Sequence, residues 1–284
     1  MPGIENSNKR STLARQIVDS IRRVEFIYTI ADRPVSQEYS NPYSDIFDPL
    51  KAAIFHRNSQ NINEAFWLTF LAIHFGKNLK KGWKLVREFY GSLGNDNNIW
   101  TWDRITKNQD YFNNWININY ISFSGSYGNH RKYETLKPEK KRSPSNVIST
   151  YIEWAGNNHE RLIQDTRNNE INPRVAFEAL YKSMSNVASF GRTAKFDYLT
   201  MIAKLELTNI EPGKTFMTGA TGPVKGARLL FGNSAKANIS CAILEHQLSI
   251  LEQQLSLGKM GMQVLEDSLC NWQKSPSAYK HFRG

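Results

Sequence analysis

The stretch NEAFWLTFLAIHFG, residues 63 to 76, decides the fold class. Its apolar side chains do not alternate, as on a half-buried strand, but run nearly all round a helix. Gly76 then supplies a helix stop. A helix apolar on every side must be surrounded by other elements, so this one is expected at the centre of a helical domain. The flanking sequence supplies such elements. Upstream, Asp48-Pro49 joins a capping carboxylate to a first-turn proline and opens a short helix through Phe55. Downstream, KGWKLVREFYG (81–91) is a second apolar helix closed by glycine.

The same punctuation continues along the chain. Ser11 or Thr12 is placed to cap a helix carrying Leu13, Ile17, Ile21, Val24 and Tyr28 at helical spacing. Asn172-Pro173 repeats the cap-plus-proline signal, and Thr193 to Leu207 follows as a further helix. The last third reads as a long helix near Ala237–Leu255 and another from about Met260 to Trp272. ININYISF (116–123) is the best alternating run and the strongest strand signal. The expectation is an all-α single domain over residues 1–284, of two lobes, with a hairpin at 211–232.

The chain has 284 residues, enough for a sizeable core, and carries a net charge of +10 with a pI near 9.5. Such an excess points to a polyanionic partner. The basic residues are clustered: Lys77, Lys80, Lys81 and Lys84 crowd one segment, and RKYETLKPEKKR (131–142) sets six basic residues against two acidic ones. Double-stranded DNA is the leading partner. Two cysteines, Cys241 and Cys270, exclude a disulfide framework and a four-thiolate cluster. The six histidines show no HxxxH or HxxE spacing, so neither a metal nor a cofactor is expected. With no signal-peptide run and no apolar stretch of about 20 residues, the chain reads as cytoplasmic and not bound to membranes.

Four segments can carry chemistry. GATGPVKGARLLFG (219–232) puts Gly219, Gly222 and Gly226 at a helix entrance, although glycine inside a helix costs about 1 kcal/mol relative to alanine. These glycines either let main-chain N–H groups approach a phosphate, with Lys225 and Arg228 adding charge, or let two helices pack tightly. SYGNHRKYE (126–134) carries His130, Arg131 and Lys132 after a Gly-Asn turn, as a proton donor and two phosphate contacts or as a solvated charged loop. FGRTAKFDYL (190–199) places Asp197 one turn inside a helix, either facing a cleft as a catalytic carboxylate or paired with Arg192 or Lys195. In MQVLEDSLCNWQKSP (262–276), Met262, Leu265, Leu269 and Trp272 form an apolar stripe. Glu266 and Asp267 lie beside that stripe, with Lys274 at the helix end.

These segments, with FDPLKAAI (47–54), resemble the alpha-glutamyl/putrescinyl-thymine pyrophosphorylase family, clade 3, from about Ile30 to Gly284. The family is related to the helix–hairpin–helix DNA glycosylases. The resemblance implies a two-lobed helical fold gripping DNA, with GATGPVKGARLL in the hairpin position. Arg192, which flanks Asp197, is expected among the DNA contacts. The resemblance also implies one of two chemistries on phage DNA. Either an amine or amino acid displaces pyrophosphate from a 5-hydroxymethyl-pyrimidine, or a hypermodified pyrimidine is flipped out and excised as a defence against phage. The glycosylase is the first reading and the transferase the second; a non-enzymatic DNA-binding protein is the third. Two cysteines are too few for an iron–sulfur glycosylase, and no VDTH-type segment follows the hairpin. The catalytic carboxylate is therefore sought at Asp197 first, then at Glu266 and Asp267.

Overall fold

The computed structural model describes residues 1–95, 98–156, 158–167 and 172–282. Among them are thirteen α-helices and no strand, in accord with the all-α expectation. In chain order these are α1 (Ser7–Ala31), α2 (Pro49–Asn58), α3 (Ile62–Phe75), α4 (Lys84–Tyr90), α5 (Trp102–Lys107), α6 (Gln109–Asn119) and α7 (Pro144–Ala155), then α8 (Glu160–Arg167), α9 (Pro173–Ser183), α10 (Arg192–Lys204), α11 (Gly222–Gly232), α12 (Cys241–Leu255) and α13 (Gly261–Trp272). No helix of the described residues is long and apolar enough to cross a membrane.

The helix signals act largely as expected. Asp48 caps α2 by accepting from the N–H groups of Leu50 and Lys51 at 3.0 and 3.1 Å. Gly76 ends α3 at φ +68°, a conformation in which a Cβ is strained. Two starts move. The first helix begins at Ser7, where Asn6 Oδ1 accepts from the N–H groups of Asn8 and Lys9, rather than at Ser11 or Thr12. Gly191, not Thr193, stands at the cap of α10, which has no side-chain cap.

The strand expected at 116–123 is a correction. Those residues form the end of α6 and a short 3-10 turn, Tyr120–Ser122. Phe112 and Ile116, four apart, are buried, whereas Ile118 and Ile121 stand 74% and 76% exposed. The helical stripe begins before the Ile-Asn alternation, which is therefore an incidental overlay on a helix.

The chain divides into two compact units, one made of 1–29, 172–178 and 210–284, the other of 30–171 and 179–209. The first has an aliphatic core of Leu229, Leu230, Leu244, Leu248, Leu265 and Leu269 from α11, α12 and α13. The second is built on rings around α3, whose Trp67, Phe70 and Phe66 are fully buried. Phe70 stacks on Tyr151 with centroids 3.7 Å apart, and Trp67 lies 5.6 Å from Phe70. Burying such rings contributes more apolar area per residue than any aliphatic core.

A polar chain threads this aromatic core. His159 Nδ1 meets Asn63 Oδ1 at 2.9 Å, its Nε2 meets the Tyr151 hydroxyl at 2.9 Å, and that hydroxyl meets Tyr198 at 2.8 Å. Burial drives the His159 pKa down to about 3, so the ring is neutral and the chain is uncharged. Near the N-terminus of α3, Glu64 is 3% exposed and accepts from the Tyr90 hydroxyl at 2.6 Å and the Trp102 N–H at 2.8 Å. Burial raises its pKa from 4.5 to about 7, against the lowering effect of those two bonds.

A pH test follows. The folded state holds the Glu64 proton that the unfolded chain releases near pH 4.5, so this group's contribution falls as pH rises from 4.5 to about 7. Glu64→Gln keeps both partners, because the Tyr90 oxygen can accept from the amide. The variant should match the parent's stability at low pH and exceed it above pH 7. Urea melts of the two across that range measure the difference, and parallel curves would contradict the assignment.

Candidate active site at Asp197

The C-terminus of α3 leaves unpaired carbonyls that need donors. The loop after Phe123 supplies them. Gly128 donates to the Phe75 carbonyl at 2.8 Å, and a Cβ on Gly128 would lie 2.8 Å from the Gly76 carbonyl carbon. Only two glycines let these backbones approach so closely. Three residues on, Arg131 turns inward. Its Nε donates to the Ile73 carbonyl at 2.7 Å, and its Nη2 donates to Asp197 Oδ2 at 3.1 Å. A guanidinium at a helix C-terminus is also favoured by the helix dipole.

Asp197 lies on α10 and takes, among the described residues, one hydrogen bond. Its side chain is 39% exposed and that of Arg131 9%. Crowding by protein raises the carboxyl's pKa above its usual range, while Arg131, His130, Arg192 and Lys204 each pull it back down. The result is a carboxylate reachable from solvent in a strongly cationic setting. His74, beside this arginine, is fully enclosed; burial first and the Arg131 charge second push its pKa down to about 3.

The structure thus brings together four residues from two separate motifs: His130 and Arg131 from 126–134, and Arg192 and Asp197 from 190–199. Arg131, expected as a phosphate contact, is buried instead and serves Asp197 and the end of α3, because its guanidinium satisfies a carbonyl and a carboxylate together. His130 and Lys132 on either side of it are exposed. The pairing of Asp197 with Lys195 is not found; Lys195 donates to Ser185 Oγ at 2.9 Å. Lys204, 5% exposed, is a member of this cluster that its sequence position gave no reason to name. Among the described residues, no group of three or more His, Cys, Asp or Glu side chains could hold a metal ion.

The remaining expected residues lie in the other unit. Asp267 accepts from Arg23 at 2.6 and 3.1 Å, from Ser20 at 2.8 Å and from Asn271 at 3.0 Å. Both its oxygens are engaged, which suits a structural ion pair better than catalysis. Glu266 is half-buried beside it on α13. Lys274 is exposed and donates to Asn271 Oδ1 at 2.9 Å. The α11 glycines fit the tight-packing alternative. A Cβ on Gly226 would stand 2.2 Å from the Leu269 carbonyl oxygen, and one on Gly222 would stand 2.6 Å from Cys270 Sγ. The close approach they permit is to α13. Gly219 is needed for its φ of +83°, Arg228 donates to the Ile239 carbonyl at 3.2 Å, and Lys225 is exposed.

These features define an all-helical protein with a partly exposed carboxylate held by a buried arginine. The chain belongs to the alpha-glutamyl/putrescinyl thymine pyrophosphorylase clade 3 family, which it matches over residues 8–284. That family's name is one of enzymes acting on modified thymine. A search of the curated proteins and of the solved structures gives no match.

Proposed function

We propose that the protein is a DNA glycosylase that flips a hypermodified pyrimidine out of phage DNA and excises it, in the cytoplasm, as a defence against the phage. The observation carrying this reading is the half-exposed Asp197 carboxylate, fixed by buried Arg131 and surrounded by further cations. Breaking an N-glycosidic bond builds positive charge on the sugar, and a preorganised carboxylate stabilises it. Extruding the base costs a few kcal/mol in stacking, which binding to flanking phosphates offsets. Exposed Lys132, Lys225 and Lys274, with Arg192, Arg228 and the Gly219 turn, are the DNA contacts in this reading.

The family name supports a second reading, a transferase that replaces pyrophosphate on a 5-hydroxymethyl-pyrimidine with an amine or amino acid. The cations around Asp197 could then receive the leaving pyrophosphate. Incubation with phage DNAs containing modified pyrimidines separates the two readings by mass. A glycosylase releases a free base and leaves an alkali-labile strand; a transferase leaves an intact strand with an altered base. DNA returned unchanged in every case would count against both.

Binding has its own test. Affinity for duplex DNA should fall steeply with salt, and Lys132→Ala or Lys225→Ala should each lower the log–log slope by about 0.9. A slope untouched by both substitutions would remove these lysines from the interface.

A further inference from the structure

Tyr133 stands 73% exposed, more than Phe26 at 62% or Tyr111 at 55%. A ring left in water forgoes the burial that Trp67, Phe70 and Tyr151 obtain in the same unit. Its place is the loop that serves Asp197. Two residues before it, buried Arg131 donates to the Asp197 carboxylate at 3.1 Å. At most about 7 Å of backbone separates the two residues. His130, exposed on the same loop, is close enough for its charge to act on Asp197, so the outer edge of the loop borders the carboxylate. The backbone under the ring is fixed on both sides. The Glu134 N–H donates to the Arg131 carbonyl at 3.0 Å, and the Tyr127 hydroxyl donates to the Thr135 carbonyl at 3.2 Å. Cations flank the ring: Lys132 Nζ lies 5.1 Å from its centroid, and Arg142 Nη1 donates to the Tyr133 carbonyl at 3.5 Å.

We propose that Tyr133 enters the DNA duplex at the place a flipped base vacates and stacks on the bases beside the gap, while Lys132 and Arg142 hold the flanking phosphates. This insertion rests on the base extrusion of the glycosylase reading. Tyr133 is then a positioning residue, which holds the duplex open and touches no reacting atom. A flat ring has the thickness of a base, and stacking tolerates any sequence because every base has a π face. Apolar side chains inserted between base steps hold DNA open in the same way in proteins that kink the duplex. A ring free to move on a backbone already fixed needs no loop ordering when DNA binds. Leu79 is the rival. It is 74% exposed in the basic segment 77–84, and the Asn78 Nδ2 beside it donates to the Tyr127 carbonyl at 2.9 Å. Tyr133 is preferred because its own loop holds the partner of Asp197, and because an aliphatic chain offers no face for stacking.

A synthetic duplex with a single abasic site already contains the gap. The parent should bind it about 10- to 100-fold more tightly than the same duplex intact. Tyr133→Phe should keep that preference and Tyr133→Ala should lose it. A 2-aminopurine placed beside the abasic site should be quenched by the parent and by Tyr133→Phe, but not by Tyr133→Ala. Lys132→Ala, the loss of a phosphate contact, should weaken binding to both duplexes alike. The proposal is overturned if Tyr133→Ala keeps the preference and the quenching, or if the parent has no preference. It is overturned equally if Leu79→Ala removes both effects and Tyr133→Ala does not. Mass analysis of phage DNA incubated with the parent separates the two levels. A preference that needs Tyr133, with no base released, leaves the insertion standing and removes the glycosylase reading. Base release by the parent, with a parent-like Tyr133→Ala on both duplexes, removes the insertion alone.

Discussion

Asp197→Asn is expected to bind DNA at least as tightly as the parent and to lose turnover on the order of 10³-fold or more. The amide is the same size as the carboxylate and still accepts from Arg131 Nη2, so the geometry set at 3.1 Å survives. The charge is what disappears. Three cations, Arg131, Arg192 and Lys204, then act on the sugar without their counter-charge, and they oppose the positive transition state they previously tolerated. Ground-state affinity for a polyanion rises for the same reason. Single-turnover rates and equilibrium binding, measured on the same phage DNA, separate these effects. A variant weak in binding but normal in chemistry would place Asp197 in recognition rather than catalysis.

Gly226→Val should lower stability strongly. The added Cβ would meet the Leu269 carbonyl oxygen at 2.2 Å and its carbon at 2.7 Å, both main-chain atoms of α13. A side chain can rotate away from such a clash, but a helix backbone cannot. The two helices must separate, and that opens the core formed by Leu229, Leu230, Leu265 and Leu269. Overpacking of this kind costs about 1–3 kcal/mol and occasionally more, so Tm should fall by on the order of 10 °C. Lys225→Ala, one residue earlier and exposed, serves as the control and should leave Tm unchanged. A parent-like Tm for Gly226→Val would mean that α11 and α13 do not cross at this glycine.

Much of this was legible in the chain because helix punctuation is local. Asp48-Pro49, Gly76 and the all-round apolar run of 63–76 each act within one or two turns, and each is found where local rules put it. The glycines of α11 were legible as a demand for space, but which neighbour fills that space depends on α13, about forty residues on. Asp197 shows the same limit. Local spacing offers Arg192 and Lys195 as partners, yet the residue that bonds it is Arg131, 66 positions away. Arg131 itself stood inside a motif already singled out. Nothing in SYGNHRKYE says which of its charges the fold turns inward, because that follows from the Gly76–Gly128 approach.

The central helix α3 has a consequence for how variants combine. Glu64 near one end and Ile73, which receives Arg131, near the other are nine residues apart, or about 13 Å along a rigid axis. At that separation, with no shared partner, free-energy changes should be additive. Glu64→Gln could then raise stability above pH 7 to offset the cost of probing Arg131 or Asp197, without altering what those probes report. A double-mutant cycle of Glu64→Gln with Asp197→Asn should close with a coupling energy below about 0.5 kcal/mol. The pH-sensitive end of the helix is thus a neutral background on which inactive variants of the other end can be kept folded and measured.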